Sequence, residues 1–471
     1  MDQLLRQISA GAVREGLWQP GEHILVAVSG GVDSTALLHI LHRLAEQEGF
    51  LLTAAHVHHG LRQASDLEAA AVRQFCGSLG IPCEYGQLDV RAHKRQTSRN
   101  TQLAARELRY RFLHETAARI GAVRIALGHH ADDQAETVLM RVLRGTGPAG
   151  LAGMRMRRTE HEVDLIRPLL EVPKSELANY CVRQGLSWVE DESNQTRDYV
   201  RNALRLDVMP VLADYNPELR EALCRLAEVA AQEDDLLGSQ TEQHFERLVR
   251  SEKEGLSMDR AGLLSLHVAL QRRLIKLILY YLSPERDSAT YERVEAMRTA
   301  ALDDTQTTWR TDAGEGIVFL REYDRLRWLR SNIHIASEGL EYAYEVSAVT
   351  SELVIRETDP QTIFSFDWTD AGGVKPGSRY EAVFDAQALR FPLVIRTRRP
   401  GDRMAVLGLE GTKKVQDMFV DEKIPPSQRG KLPIVCDADG KLLWIPGIRR
   451  SSHALTGLPG GAELRIRVQF A

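Results

Sequence analysis

The chain has 471 residues, with 60 Lys plus Arg against 65 Asp plus Glu, a formal charge of -5 and 43% hydrophobic residues. A soluble chain of that length exceeds one comfortable core and predicts about two to four domains, and its mild acidity excludes a uniformly basic polyanion binder. Five scattered cysteines with no CxxC pair exclude a disulfide framework. Met1 to Gln7 lack the pattern of a signal peptide and no segment approaches ~18 uncharged apolar residues, so the expectation is a cytoplasmic protein without a membrane partner.

Ile24–Val28 reads as a buried strand, and Thr35–Leu44, with Leu37, Leu38, Leu41 and Leu44 at helical spacing, as a helix. Between them lies Ser29-Gly30-Gly31-Val32-Asp33-Ser34. Further along, Leu51–Val57 predicts a strand, Ser65–Leu79 a helix, Pro82–Leu88 a strand, Asn100–Ile120 a long helix, Val123–Leu127 a strand and Ala131–Leu143 a helix closed by Gly145. Strands that are nearly continuous apolar runs and alternate with helices predict an α/β fold with a doubly wound parallel sheet.

Near Pro210 this alternation stops. Pro217–Leu282 is rich in Leu, Ala, Glu and Arg at three- and four-residue spacing and predicts a helical domain. From about Ile333 the chain is strand-like, with Val346–Arg356, Leu393–Thr397, Leu432–Cys436 and Leu464–Val468 separated by Gly, Pro and Asp turns. The expected division is 1–212, 213–332 and a smaller β-rich domain at 333–471. Charge is unevenly spread: 15 Lys plus Arg against 8 Asp plus Glu from Ala386 onward make a basic C-terminal module on an acidic remainder. Such a module suits either a docked polyanion or a solvated face.

A Gly-rich turn that follows a strand and opens a helix has a physical use. Gly30 and Gly31 let the backbone approach a phosphate, while Ser29, Ser34 and the helix N-terminus supply donors. The loop has no Lys, which excludes a Walker A cycle. Asp33 would repel phosphates unless a cation intervened, which assigns it to Mg²⁺.

The second constellation, His129-His130-Ala131-Asp132-Asp133-Gln134-Ala135-Glu136-Thr137, follows the Val123–Leu127 strand at its carboxyl end, where ligands of open parallel sheets bind. On a helix starting near Asp132, His130, Asp133 and Glu136 share one side. Their carboxylates suit Mg²⁺ or a cationic co-substrate, whereas early-helix acids alone are also explained by the helix dipole. Without CxxC pairs, sulfur transfer has no carrier.

SGGVDS in this context resembles the PP-loop signature of the ATP-pyrophosphatase superfamily, which implies ATP split to AMP and pyrophosphate while a substrate oxygen is adenylated. Taken with the HHADDQAET run, Leu143-Arg144-Gly145-Thr146-Gly147, Asp191-Glu192-Ser193-Asn194 leading to Arg201-Asn202, Arg399-Pro400-Gly401-Asp402-Arg403, Lys413-Lys414-Val415-Gln416-Asp417 and Ile445-Pro446-Gly447-Ile448-Arg449, the chain resembles the tRNA(Ile)-lysidine synthetase family.

That resemblance implies ligation of free L-lysine to carbon 2 of the wobble cytidine in tRNA(Ile) with a CAU anticodon. It implies Ser29, Gly30, Gly31, Val32, Asp33 and Ser34 on ATP and Arg109 near the reacting phosphate. It further places His130, Asp133 and Glu136 where lysine is bound or deprotonated. The tRNA would be held by the basic C-terminal residues Arg396, Arg398, Arg399, Arg403, Lys413 and Lys414, while Arg197, Arg201 and Arg205 form either a basic tRNA-facing helix side or a merely soluble one. A homodimer is also implied by the family. The competing expectations are a PP-loop ligase acting on a small molecule and a tRNA-binding protein with an inactive nucleotide site.

Overall fold

The computed structural model describes residues 2–58, 64–88, 93, 101–189, 200–284, 289–330, 341–358, 360–369, 376–406, 411–455 and 462–471. Contacts group the chain into two compact units, 1–237 and 238–471.

The first unit is built on a six-stranded sheet ordered β3-β2-β1-β4-β6-β5, from β1 (His23–Ala27), β2 (Leu51–His58), β3 (Cys83–Gln87), β4 (Arg124–Ala126), β5 (Arg157–Glu160) and β6 (Val163–Ile166). All pairings are parallel except β5 against β6. Alternation along β1 divides its side chains between two cores. Ile24 and Val26 share a core with Leu5 and Ile8 of α1 (Gln3–Glu15), Leu37, Leu38 and Leu41 of α2 (Val32–Glu48), Val72 and Cys76 of α3 (Ala64–Ser78) and Tyr180 of the later Lys174–Arg183 helix; Leu25 packs with Leu113 and Ala117 of α4 (Thr101–Ile120) on the opposite face. Helices on both faces make this the doubly wound sheet expected.

The chain order reverses between β1 and β4. Connections leaving their carboxyl ends run to opposite sides and open a crevice there, the ligand position of such sheets. Two helices start at that crevice: α2, and α5 (Ala131–Leu143) after β4.

The second unit departs in part from the sequence reading. The helical middle has its helices, including Val268–Leu282 and Tyr291–Leu302, but strands do not stop near Pro210. A five-stranded antiparallel sheet β7-β8-β11-β10-β9 (Arg250–Glu252, Gly255–Asp259, Arg325–Arg330, Ile317–Glu322, Thr308–Gly314) packs against those helices around Trp328, Phe319, Leu274 and Ile278. Its outer strands, Arg250–Glu252 and Thr308–Gly314, mix charged with other residues, so no apolar run marked them.

The following β-rich part forms one sheet ordered β12-β16-β19-β20-β21 (Ala343–Val346, Leu393–Arg396, Ile434–Cys436, Leu442–Ile445, Arg449–Arg450) and another ordered β13-β14-β22-β15 (Glu352–Ile355, Thr362–Thr369, Glu463–Phe470, Glu381–Asp385), with a shared core including Ile395, Val435, Phe364 and Ile466. The expected strand Val346–Arg356 is two strands, β12 (Ala343–Val346) and β13 (Glu352–Ile355), in different sheets. A small ribbon of β17 (Arg403–Ala405) and β18 (Thr412–Lys414) completes it. All five cysteines are unpaired, and no helix among the described residues is long and apolar enough to cross a membrane.

Leu37 on α2 is fully buried between sheet and helices. Leu37→Ala is expected to destabilise the first unit by about 2–5 kcal/mol, measured by urea unfolding.

Candidate active site

The loop after β1 takes its shape from its own side chains. Gly30 has φ +96, a backbone region that residues with a Cβ avoid, and a Cβ built there would approach Val72 Cγ2 at 3.3 Å. The Ser34 hydroxyl accepts from the backbone N–H groups of Ser29 (3.1 Å) and Gly30 (3.2 Å) and donates to the Gly31 carbonyl (3.0 Å). Val189 N–H donates to the Gly30 carbonyl at 2.9 Å, bracing the loop from behind. Gly31 occupies the N-cap of α2 and offers no side-chain cap. The first N–H groups of α2 thus lack a side-chain acceptor, the arrangement that receives an anion.

A cavity of about 200 Å³ opens beside the loop. Ala27, Ala55, Val57 and Leu127 give it an apolar wall, and Ser29, Asp33, Ser34, Arg109 and His129 a polar end. Larger cavities, of about 740 Å³ beside α1 in the same unit and about 710 Å³ in the second unit, contain neither the loop nor the acidic cluster. Chemistry rather than volume therefore selects the smaller one.

Arg109 reaches this cavity from α4. Its Nε has no hydrogen-bond partner, and burial lowers its pKa from the usual arginine value, yet a guanidinium stays charged. A buried cation short of a partner suits a phosphate.

Asp33 Oδ1 is likewise buried and accepts no hydrogen bond. No group of three His, Cys, Asp or Glu side chains able to hold a metal occurs among the described residues. A divalent ion here would depend on one carboxylate plus phosphate oxygens, which fits Mg²⁺.

Across the crevice, His130 is the N-cap of α5: its N–H donates to Asp133 Oδ2 at 3.1 Å. The ring lies 3.3 Å from Asp133, 3.6 Å from Asp33 and 3.6 Å from Asp132. Burial would lower its pKa, but the three carboxylates outweigh burial and raise it to about 9. Asp133 N–H also approaches His130 Nδ1 at 3.4 Å, a contact that needs a lone pair there. One long contact counts for less than three carboxylates, and the ring is an imidazolium at neutral pH. With a side chain 1% exposed, His130 is a counter-ion holding carboxylates together. His130, expected with Asp133 and Glu136 where lysine is bound or deprotonated, thus lies against Asp133 and Asp33.

Asp132, despite burial, is held below the ordinary carboxylate range by His130, the Lys174 backbone N–H at 2.8 Å and Arg220. Asp133 is similarly lowered, against burial, by His130 and Arg201.

Asp133 and Glu136 face two guanidinium groups. Arg201 Nη2 lies 2.8 Å from Asp133 Oδ1 and its Nε 2.8 Å from Glu136 Oε2; Arg205 Nε lies 2.5 Å from Glu136 Oε1. Arg201 and Arg205, expected on one basic helix side either facing tRNA or merely soluble, do share a side, and that side faces the acids of α5. Arg197 and the Asp191–Asn194 segment lie outside the described residues.

Two residues here carried no signal that singled them out. Burial pushes the pKa of His129 down to about 3, with Arg167 and Arg109 adding to it against Asp133. His129 Nδ1 accepts from Arg167 Nε at 3.2 Å, so its proton sits on Nε2. Lys174 brings its Nζ within 3.7 Å of Asp33 Oδ2. The HHADD string contained His129, but only burial separates its role from that of His130. Lys174 is distant in sequence from both motifs.

In the C-terminal part, Arg399, Arg403 and Lys414 are exposed, while Arg398 and Lys413 are partly buried, paired with Gln416 and Asp421. Arg396 leaves the expected patch: it is buried and bonded through both Nη atoms to Asp402 at 2.8 and 2.9 Å.

Two outcomes test this geometry. Gly30→Ala is expected to weaken ATP binding by roughly tenfold or more, given the ~1–2 kcal/mol cost of a Cβ in left-handed backbone, as read by nucleotide titration. His130→Ala, by leaving buried carboxylates unpaired, is expected to cost about 3–5 kcal/mol in urea unfolding at neutral pH. Because the folded pKa of His130 is raised, its stabilising contribution is complete below about pH 6.5 and lost as pH rises through about 9. The variant's stability is expected to lack that alkaline decline.

Comparison with known proteins places two family models on the chain: a PP-loop domain at residues 3–212 and the TilS substrate C-terminal domain at 393–467. The tRNA(Ile)-lysidine synthase of Bacillus subtilis (strain 168) is 34% identical over 93% of this chain and 92% of that protein. The protein of the same name from Geobacillus kaustophilus (strain HTA426) is 33% identical over 95% of this chain and 96% of its own length. A solved TilS C-terminal domain is 29% identical, covering 27% of this chain and 98% of that one, with a TM-score of 0.25. With a phosphate loop and an acidic helix facing each other at one end of the sheet and this identity along nearly its whole length, the chain belongs to the tRNA(Ile)-lysidine synthase family.

Proposed function

We propose that the crevice between β1 and β4 carries both half-reactions of lysidine synthesis. The enzyme joins lysine to carbon 2 of the wobble cytidine of CAU-anticodon tRNA(Ile), consuming ATP and releasing AMP and pyrophosphate. The observation that carries the assignment to this crevice is the proximity of its two motifs: Asp33 of the phosphate loop lies 3.6 Å from the ring of His130, which caps the acidic helix. The oxygen that is adenylated is bonded to the carbon that the amine attacks, so the groups serving the two steps have to converge.

In the first step the cytosine carbonyl oxygen attacks the α-phosphorus and pyrophosphate leaves. Ser29 to Ser34 hold the triphosphate through backbone N–H groups and hydroxyls, and Arg109 offers its unpartnered Nε to charge developing at the reacting phosphate. Mg²⁺ on Asp33, when bound, neutralises phosphate charge. Neutral His129, with its proton on Nε2, is a donor at the same cavity that carries no added charge.

In the second step the lysine ε-amine attacks carbon 2 and AMP leaves. A free ε-amine has a pKa of about 10.4, so the cation has to be received by acids and then deprotonated. We assign reception to Asp133 and Glu136. The pairing of Arg201 and Arg205 with those carboxylates supports a site shaped for cations, and lysine binding requires exchange of at least one guanidinium contact. Asp133 and Glu136 are the carboxylates placed to take the proton from the arriving ammonium.

The tRNA is held, in this reading, by Arg398, Arg399, Arg403, Lys413 and Lys414. Arg403 and Lys414 stand directly opposite in the β17–β18 ribbon, both exposed. Like charges so placed are destabilising in an isolated sheet, and a phosphate between them relieves the repulsion. We keep 1–212, 213–332 and 333–471 as the adenylation, middle and tRNA-docking regions of a cytoplasmic enzyme, and a homodimer as its assembly.

The deciding experiment incubates the protein with ATP, Mg²⁺, labelled lysine and CAU-anticodon tRNA(Ile) transcript and looks for label in RNA. None from a folded, tRNA-binding protein defeats the proposal. Asp33→Ala is expected to abolish AMP release, whereas Glu136→Ala retains adenylated tRNA without lysine transfer; lysine transfer at the unmodified rate by Glu136→Ala removes that residue from its role. Arg403→Ala with Lys414→Ala is expected to weaken tRNA binding and reduce the slope of log affinity against log salt by about one per lost phosphate contact.

A further inference from the structure

The phosphate loop from Ser29 to Ser34 contains no cationic side chain, and the N-terminus of α2 contributes only about half a positive charge. A bound triphosphate carries several negative charges, and its departing pyrophosphate gains more. One Mg²⁺ on Asp33 leaves part of that charge unbalanced.

Lys174 stands beside Asp33 of that loop. Its backbone is fixed: the N–H donates to Asp132 Oδ2 at 2.8 Å, and the Lys174–Arg183 helix buries Leu177, Tyr180 and Cys181 in the same core as Leu37 and Leu41 of α2. Its side chain is 41% exposed, and its ammonium lies 3.7 Å from Asp33 Oδ2, beyond hydrogen-bond distance and with no other ion-pair partner among the described residues. The root of the side chain is anchored and its charged end is uncommitted.

We propose that Lys174 is a second phosphate-binding cation of this site beside Arg109, donating to the β- and γ-phosphate oxygens of ATP. A divalent ion on Asp33 would repel an ammonium at that separation and free it for the phosphates. As the cytidine oxygen bonds to the α-phosphorus, the bond from that phosphorus to the α,β-bridging oxygen breaks and its electron pair leaves with pyrophosphate. Lys174 stays protonated and binds the leaving group more strongly as its charge grows. A lysine on a distant helix thereby does for this loop what its own sequence omits. The inference rests on the adenylation reading above.

The test titrates wild type, Lys174→Met and Lys174→Arg with ATP, pyrophosphate and AMP in Mg²⁺ buffer, with lysidine formation assayed alongside. Lys174→Met is expected to lose about tenfold or more in affinity for ATP and pyrophosphate while binding AMP as wild type does, which also reports an intact fold. Lys174→Arg is expected to recover most of the loss. Unchanged ATP and pyrophosphate affinity in Lys174→Met overturns the inference, as does an equal loss for AMP, the mark of a merely structural residue. If wild type itself binds ATP but forms no AMP with tRNA and lysine, the adenylation reading fails instead.

Discussion

Much of this protein depends on two helix N-termini being held against each other at the sheet's switch point. Helices α2 and α5 begin at the carboxyl ends of β1 and β4, and each brings acids in its first turn, Asp33 on one and Asp132 and Asp133 on the other. Left alone, three carboxylates so close would repel or take up protons. The imidazolium of His130, within 3.6 Å of all three, holds them together. The dipoles of both helices favour the same arrangement.

That constraint sorts the remaining charges. Carboxylates satisfied by His130 and by backbone donors, Asp132 above all, have structural work and little freedom. Groups left short of partners gather at the cavity: Asp33 Oδ1 and Arg109 Nε are buried without a hydrogen bond, and the Lys174 ammonium stands just outside bonding distance. Two opposite signs of unmet demand in one crevice are what a metal-bound triphosphate answers. Asp133 and Glu136 form a second zone whose occupants are the cations Arg201 and Arg205. The site thus separates an anion-receiving end from a cation-receiving end, matching a reaction in which pyrophosphate leaves and an amine arrives.

In the second unit the basic surface is narrower than its residue count implies. Arg396 is consumed by Asp402 inside the fold, and Lys413 is paired with Asp421. Of the six basic residues expected to hold tRNA there, Arg399, Arg403 and Lys414 are exposed, and a two-stranded ribbon sets Arg403 opposite Lys414.

The sequence by itself determined the parallel sheet, because its central strands are short apolar runs between helices of clear period, and it determined both site motifs, because loop and acidic helix are each contiguous in the chain. It did not reveal the five-stranded sheet between residues 250 and 330, whose outer strands mix charge with apolar residues and present neither period cleanly. Nor did it divide labour within the site. Adjacent histidines read alike in sequence, yet burial among carboxylates makes His130 a cation while burial against Arg167 and Arg109 keeps His129 neutral. Arg201, Arg205 and Arg396 read as surface charge until packing gave each a carboxylate partner. Only the tertiary structure brought Lys174 to the loop that lacks a lysine. Periodicity and local motifs are properties of neighbouring residues, whereas protonation and pairing depend on which distant charges the fold brings within a few ångströms.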